Sequence, residues 1–439
     1  MKTGYTVIFK YLAIFVLVAS LAVLANLPVP HQTAAAPGIC KWDYVYTPGS
    51  YPLRYDILFL SEIHTLAIGP NGSTVLAVVA RTTVPANQLF SSGDSGRSWG
   101  GSGRLIEDML DKWGVAVNVW DAAIAPDDFN FWAVTTSSPT VDAPVEVWVT
   151  EDAGRSWDLT NLAPLLAAGE TIRAIDISAN YSGKHDIAVA TVGIGGGDIH
   201  VIYSVGFGSW RAQLLNTTPT LMNGAFDYHA IKFSPTYIAD SALAFVCADA
   251  TATYYNIALR DIDANTTISL AFPAPGIEVK DPTWLAGSSP NWSELNRADL
   301  EMPSDFSGQA ASLRRVYIST DAFGAAAKAT TARDGIFRID DTVVYTLMDT
   351  SQYVNKSIYS IAYYGTYASG KLLAGERRGF PCTATVPTWF TDSPTTCPIP
   401  CWYPALKPTT GAANQGVCAP GSQTGTGATL VAWGGYGKL

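Results

Sequence analysis

Three kinds of side chain in this sequence are placed where they could do chemistry. Cys382, Cys397, Cys401 and Cys418 crowd one Pro/Gly/Thr-rich stretch, while Cys40 and Cys247 stand apart. Cys397-Pro-Ile-Pro-Cys401 lacks the two-residue spacing of a redox dithiol, and its prolines stiffen the loop, so the expected chemistry is structural disulfide formation. Four cysteines allow three complete pairings, and all three stay open. The histidines beyond the leader, His64, His185, His200 and His229, show no ligand spacing such as His-x-x-x-His, so neither a metal nor a cofactor is expected. Gly193-Ile-Gly-Gly-Gly197 has no phosphate-loop lysine and reads as a turn.

The third kind is a pair of carboxylates in matching surroundings. Ser92-Gly93-Asp94-Ser95-Gly96-Arg97-Ser98-Trp99 is followed by Thr150-Glu151-Asp152-Ala153-Gly154-Arg155-Ser156-Trp157. A hydroxyl residue and Asp can cap backbone N–H groups, Gly permits positive φ, and Trp supplies an apolar anchor. Ser92, Asp94, Gly96 and Trp99, with Thr150, Asp152, Gly154 and Trp157, are therefore read as hairpin turns rather than as reactive groups.

The elements that must position these turns are strands. Ile63 to Ala80 gives two strand-like runs around a Pro-Asn-Gly turn, and Gln88 to Ser92 gives a third that enters the first turn. The second unit repeats this order from Asp121 to Thr135 and from Val145 to Thr150. Further units start near Ile172, Ala230, Ser312 and Tyr359, which predicts six full or partial repeats, with Pro273 to Asp305 as an irregular insertion. Arg104 to Leu110 predicts a short helix. A single such sheet leaves its faces uncovered, so radial stacking is the expected solution.

The two eight-residue segments resemble the Asp-box, or BNR repeat, of the sialidase-type β-propellers. The resemblance implies an all-β Asp-box β-propeller of about six or seven blades, the turns closing the hairpin between the third and fourth strands of a blade. An incomplete ring is the alternative, because the chain stops soon after a last strand at Thr429 to Trp433. It also implies that Asp94 and Asp152 are peripheral and structural. Ser204 to Trp210 resembles a worn copy, and Thr320 to Gly324 a weaker one. The family's Phe-Arg-Ile-Pro segment has only Phe337-Arg338-Ile339-Asp340 as a counterpart, too late in the chain, and no catalytic residue is assigned. A noncatalytic member of the exo-α-sialidase superfamily scaffold is the favoured reading, with a sialidase-like glycoside hydrolase as the alternative.

Lys2 and Lys10 precede an apolar run from Tyr11 to Ala25 and the small residues Ala34 to Ala36, which reads as an export signal over 1–36. Membrane anchoring follows only if that signal stays uncleaved. Residues 37–439 are assigned to the propeller, with a cysteine-containing insertion at about 376–426. The 439 residues are 48% hydrophobic and 15% charged, enough for a large core, and the net charge of −10 with no basic stripe argues against nucleic acid. Asn71, Asn180, Asn216, Asn265, Asn291 and Asn355 begin Asn-x-Ser/Thr triplets and are candidate glycosylation sites in an exported chain. The expectation is a secreted or cell-surface glycoprotein acting as a structural, assembly or glycan-binding module. Its partners would be copies of itself, other envelope proteins or a glycan.

Overall fold

Each apolar run pairs with the next along the chain, and every pairing is antiparallel. The computed structural model describes residues 62–80, 87–181, 183–203, 209–212, 221–260, 268–283, 285–287, 289–322, 335–349, 357–377, 389–391 and 403–404. These residues form six sheets, each built from consecutive strands in simple up-and-down order. Five sheets have four strands; the fourth gains a fifth, Ile277–Glu278, which pairs with the third strand, Thr253–Arg260. The fold is all-β and propeller-like, and the sheets are its blades.

Because a blade alternates its side chains between two faces, neither face can be left bare. Five apolar clusters lie between successive blades. Leu76, Val78 and Leu89 of blade 1 meet Trp132, Val134 and Trp148 of blade 2, and the helix Gly103–Trp113 buries Leu105 and Met109 in the same seam. Its amphipathic face and its left-handed C-cap at Gly114 explain why the short run from Arg104 to Leu110 extends through Trp113 before stopping. Ile187 and Val189 fill the seam between blades 2 and 3, and Tyr228 and Phe245 the one between blades 3 and 4. Ile257 and Val316 join blades 4 and 5, and Tyr317 and Ile358 join blades 5 and 6.

The innermost strands are Glu62–Ile68, Val119–Ile124, Thr171–Ile177, Asp227–Phe233, Leu295–Glu301 and Ser357–Gly365. Each carries one extra residue near its start, at His64, Trp120, Arg173, His229, Asn296 and Tyr359. Six β-bulges at one register mark the true structural repeat. A bulge re-aims the residues around it and bends the strand, so the recurrence fixes a common wall.

Two sequence expectations change here. Blade 5 begins at Leu295–Glu301, and the run containing Ser312 to Asp321 supplies its second strand, Arg315–Ala322. Asp321 therefore ends a second strand and cannot sit in a third-to-fourth hairpin. Blade 6 draws its outer strands from Trp389–Thr391 and Tyr403–Pro404, within the stretch read as an insertion. The reading of the protein as disulfide-bonded is also corrected, since no disulfide is present among the described residues. Cys247 is a buried free thiol on the second strand of blade 4, set opposite Tyr228 and Tyr254. Cys382, Cys397, Cys401 and Cys418 lie outside the described residues, as do Cys40, the stretch read as an export signal and Thr429 to Trp433.

Candidate functional site

An innermost strand has a neighbour on only one side, so its other edge presents unpaired N–H and C=O groups. The six inner edges surround a central channel of about 1010 Å³. Buried backbone groups need partners, and two of these edges receive them from carboxylates three residues beyond the bulge of the preceding blade. Asp176 accepts the Phe233 N–H at 2.7 Å, and Asp299 accepts the Ile361 N–H at 2.9 Å as well as that of Leu300 at 2.9 Å. Asp121 accepts the Ala122 N–H at 2.9 Å.

Cations face these acids. Lys232 Nζ donates to Glu301 Oε1 at 2.6 Å, joining blades 4 and 5. Arg173 reaches from blade 3 past blade 4 to the Asn296 carbonyl of blade 5 at 2.9 Å, linking two bulge positions. Arg297 and Lys371 join the lining, and among the described residues four acids meet four bases with no net formal charge. Burial raises the carboxyl pKa of Glu301 despite Lys232 beside it, and raises that of Asp121 against the pull of Arg297. Lys232 loses hydration, yet Glu301 and Asp176 raise its pKa above the usual lysine value, so it stays charged.

His229 occupies the bulge of blade 4 on the channel wall. It is 3% exposed, and neither ring nitrogen has a hydrogen-bond partner among the described residues. Burial, then the charge of Arg173, pushes its pKa down to about 3, so the imidazole is neutral near pH 7. Two other histidines are tied to carboxylates: His185 bonds Asp127 at 3.0 Å, and His200 bonds Glu170 at 3.0 Å. Among the described residues, no group of three or more His, Cys, Asp or Glu is arranged to hold a metal ion, and no helix is long and apolar enough to cross a membrane.

The paired turns lie elsewhere, between the third and fourth strands of blades 1 and 2. In the first, Asp94 accepts the Ser98 N–H at 2.8 Å and the hydroxyls of Ser98 and Ser92 at 2.6 and 2.8 Å. Ser92 Oγ in turn accepts the Gly96 N–H at 2.8 Å. In the second, Asp152 accepts the Ser156 N–H at 2.9 Å and the hydroxyls of Ser156 and Thr150, both at 2.8 Å. Thr150 Oγ1 accepts the Gly154 N–H at 3.0 Å. Hydrogen bonds from Ser98, its hydroxyl first, hold the Asp94 carboxyl down at about 2. For Asp152 partial burial works upward, but the Ser156 and Thr150 hydroxyls still hold its pKa below the usual carboxylate value.

The two anchors differ. Trp157 is buried against Trp132, with ring centroids 6.2 Å apart, and its backbone N–H donates to Asp108 Oδ2 of the helix at 3.0 Å. Trp99 is half-buried and donates Nε1–H to the Gly96 carbonyl at 3.1 Å. Gly154 has φ +82°, and a Cβ there would come within 2.8 Å of Trp132. Asn71 is exposed in a turn, with Nδ2 donating to Thr74 Oγ1 at 2.9 Å; Asn180 and Asn291 are half-exposed, while Asn216, Asn265 and Asn355 lie outside the described residues.

The structure thus sets the repeated turns apart from the channel, and of the channel's charged and imidazole side chains only His229 was weighed from sequence, as a metal ligand for which the spacing gave no support. Their signal was a charged or polar residue within an apolar inner strand: Arg173 and Asp176 in Ile172 to Ser178, and His229 and Lys232 in Tyr228 to Pro235.

Fold and channel together define a β-propeller-like protein. No protein-family model matches the chain, and no curated protein matches it. Among solved structures it is similar to the GH74 xyloglucanase from Xanthomonas campestris, at 12% identity over 77% of this chain and 51% of that one, with a TM-score of 0.36. It is also similar to the β-propeller domain of the Trilobed protease from Pyrococcus furiosus, at 10% identity over 79% and 84% with a TM-score of 0.41. A protein from Lactobacillus plantarum is 10% identical over 75% and 81%, with a TM-score of 0.45. The chain spans about half the length of the xyloglucanase and of an ancestral GH74 enzyme that it also resembles.

Proposed function

We propose that this chain is a noncatalytic propeller of the cell surface or extracellular space, serving as a structural, assembly or glycan-binding module with its central channel as the recognition site. The supporting observation is how the channel carboxylates are engaged. Glu301 holds Lys232, Asp176 and Asp299 hold backbone amides of the next blade, and Asp121 holds an amide of its own strand. Glycoside hydrolysis needs two carboxyl groups free to face one bond, one of them as a proton donor. Side chains tied to the scaffold instead present fixed dipoles, which suits binding.

In the same reading, the hairpins at Ser92 to Trp99 and Thr150 to Trp157 are Asp-boxes of a noncatalytic sialidase-like scaffold, supported by their shared hydrogen-bond pattern. Export of the chain accords with its basic and apolar leader. The test is a turnover screen of the purified protein against sialosides, other glycans and generic glycosidase substrates. No turnover is expected, and robust hydrolysis abolished by substituting one channel carboxylate refutes the proposal.

A further inference from the structure

Building on the proposal that the channel is a recognition site, we infer that its ligand is a neutral saccharide. Four carboxylates and four cations on the described wall sum to zero, so an ion of either sign gains no net long-range attraction. An acidic sugar could engage Arg173 or Arg297 only beside the carboxylates that accompany them. Displacing the Lys232–Glu301 pair, closed at 2.6 Å, would leave a charge unpaired in a partly desolvated place.

A hydroxyl group meets this wall on better terms, because it donates and accepts at once. A carboxylate oxygen can accept more than one hydrogen bond, and the inner edges add carbonyls and N–H groups. His229 lies behind this wall as a buried neutral imidazole whose ring nitrogens have no hydrogen-bond partner among the described residues. Between these groups Ala67, Ala174 and Ala362 leave apolar wall for the C–H faces of a sugar ring. The volume, about 1010 Å³, matches the top of the roughly 300–1,000 Å³ range of small-molecule sites.

An extended peptide is the competing guest, since exposed strand edges invite strand addition. Strand addition needs an uninterrupted row of edge groups. Here a bulge interrupts every inner strand, and Asp176 and Asp299 already occupy the Phe233 and Ile361 amides. Isolated hydroxyls need only isolated partners.

The full chain is titrated calorimetrically with neutral tetrasaccharides of glucose, mannose, xylose and galactose, with tetragalacturonate and sialyllactose as acidic comparators and a neutral hexapeptide. We expect at least one neutral saccharide to bind, with an affinity changing less than about twofold between roughly 50 and 500 mM salt, since screening has no net charge to act on. Ala362→Trp and Ala67→Trp, which grow a ring into the channel from half-exposed positions, should each weaken binding at least about tenfold while leaving the near-ultraviolet circular dichroism unchanged. Should either variant fail to fold, mass mapping of the wild-type protein crosslinked to a photoreactive form of the bound saccharide locates the site independently. Preference for an acidic saccharide or for the peptide overturns the inference, as do labels mapping outside the channel or the absence of any saccharide binding. Hydrolysis of a bound neutral saccharide overturns the noncatalytic reading instead and leaves the ligand class standing.

Discussion

Replacing Lys232 by Met removes the cation that Glu301, Asp176 and Asp299 share, and it tests the charge balance of the channel directly. The side chains of Lys232 and Glu301 are 33% and 19% exposed, between the surface and buried regimes. Exposed pairs contribute about 0–1 kcal/mol, and breaking a buried pair costs about 3–5 kcal/mol, so this variant should lose about 2 kcal/mol at pH 8. The loss should depend on pH in one direction. Without Lys232, the pKa of Glu301, already raised by burial in the wild type, has lost its main opposing influence. A carboxyl whose folded pKa exceeds its unfolded value of about 4.3 binds its proton more tightly in the folded state, so stability falls as pH rises toward the folded value. The variant should therefore recover part of its deficit at pH 5, and Lys232→Met with Glu301→Gln should recover more than half of it at pH 8. Urea midpoints at both pH values, compared at constant slope, provide the measurement. A deficit equal at pH 5 and pH 8, with no recovery in the double variant, refutes this account of the channel.

The hairpins yield three further expectations. Trp157→Ala should cost about 3–5 kcal/mol because the ring is buried against Trp132, and Trp99→Ala, half-buried, should cost clearly less in the same urea titration. Gly154→Ala should be more damaging than Gly72→Ala. Both force a side chain into left-handed backbone at about 1–2 kcal/mol, but only Gly154 adds a clash with Trp132, a further cost of about 1–3 kcal/mol; equal losses would place Trp132 elsewhere. Asp94, held at about 2, contributes stability that is fully present above the unfolded value near 4 and is lost as pH falls through 2. Asp94→Asn should accordingly be less stable than wild type at pH 6, and the difference should close by pH 2 in thermal melts.

What could be read from the sequence follows the range of the forces involved. The turns at Ser92 to Trp99 and Thr150 to Trp157 were legible because their capping bonds span at most four residues. The strands of blades 2 to 4 were legible because apolar seams cover both faces, leaving long apolar runs. Leu295–Glu301 was not, because Arg297, Asp299 and Glu301 interrupt its apolar residues, and they do so because this strand borders the channel. The irregularity read as an insertion thus ends in a strand of the channel wall. The bulges left no trace in residue type: the extra residue is His, Trp, Arg, His, Asn or Tyr, and only pairing register reveals it. Convergence of Asp121, Arg173, His229 and Arg297 depends on the arrangement of the blades, which no local window contains.

The strict succession of strands within the sheets bears on how the molecule is made. Among the described residues, nearly every paired strand follows its partner directly in the chain; Ile277–Glu278 skips only one short strand to reach Thr253–Arg260. The loops to be closed are short, so each blade can finish its hydrogen bonding soon after its last strand emerges from the ribosome, without waiting for distant sequence. What must wait is the cover for the newest face. A nascent chain that has completed blade 3 displays Ile199 and Val201 until Tyr228 and Phe245 of blade 4 arrive. Synthesis thus advances a single sticky surface from blade to blade, and a pause at such a boundary is where a chaperone has most to hold.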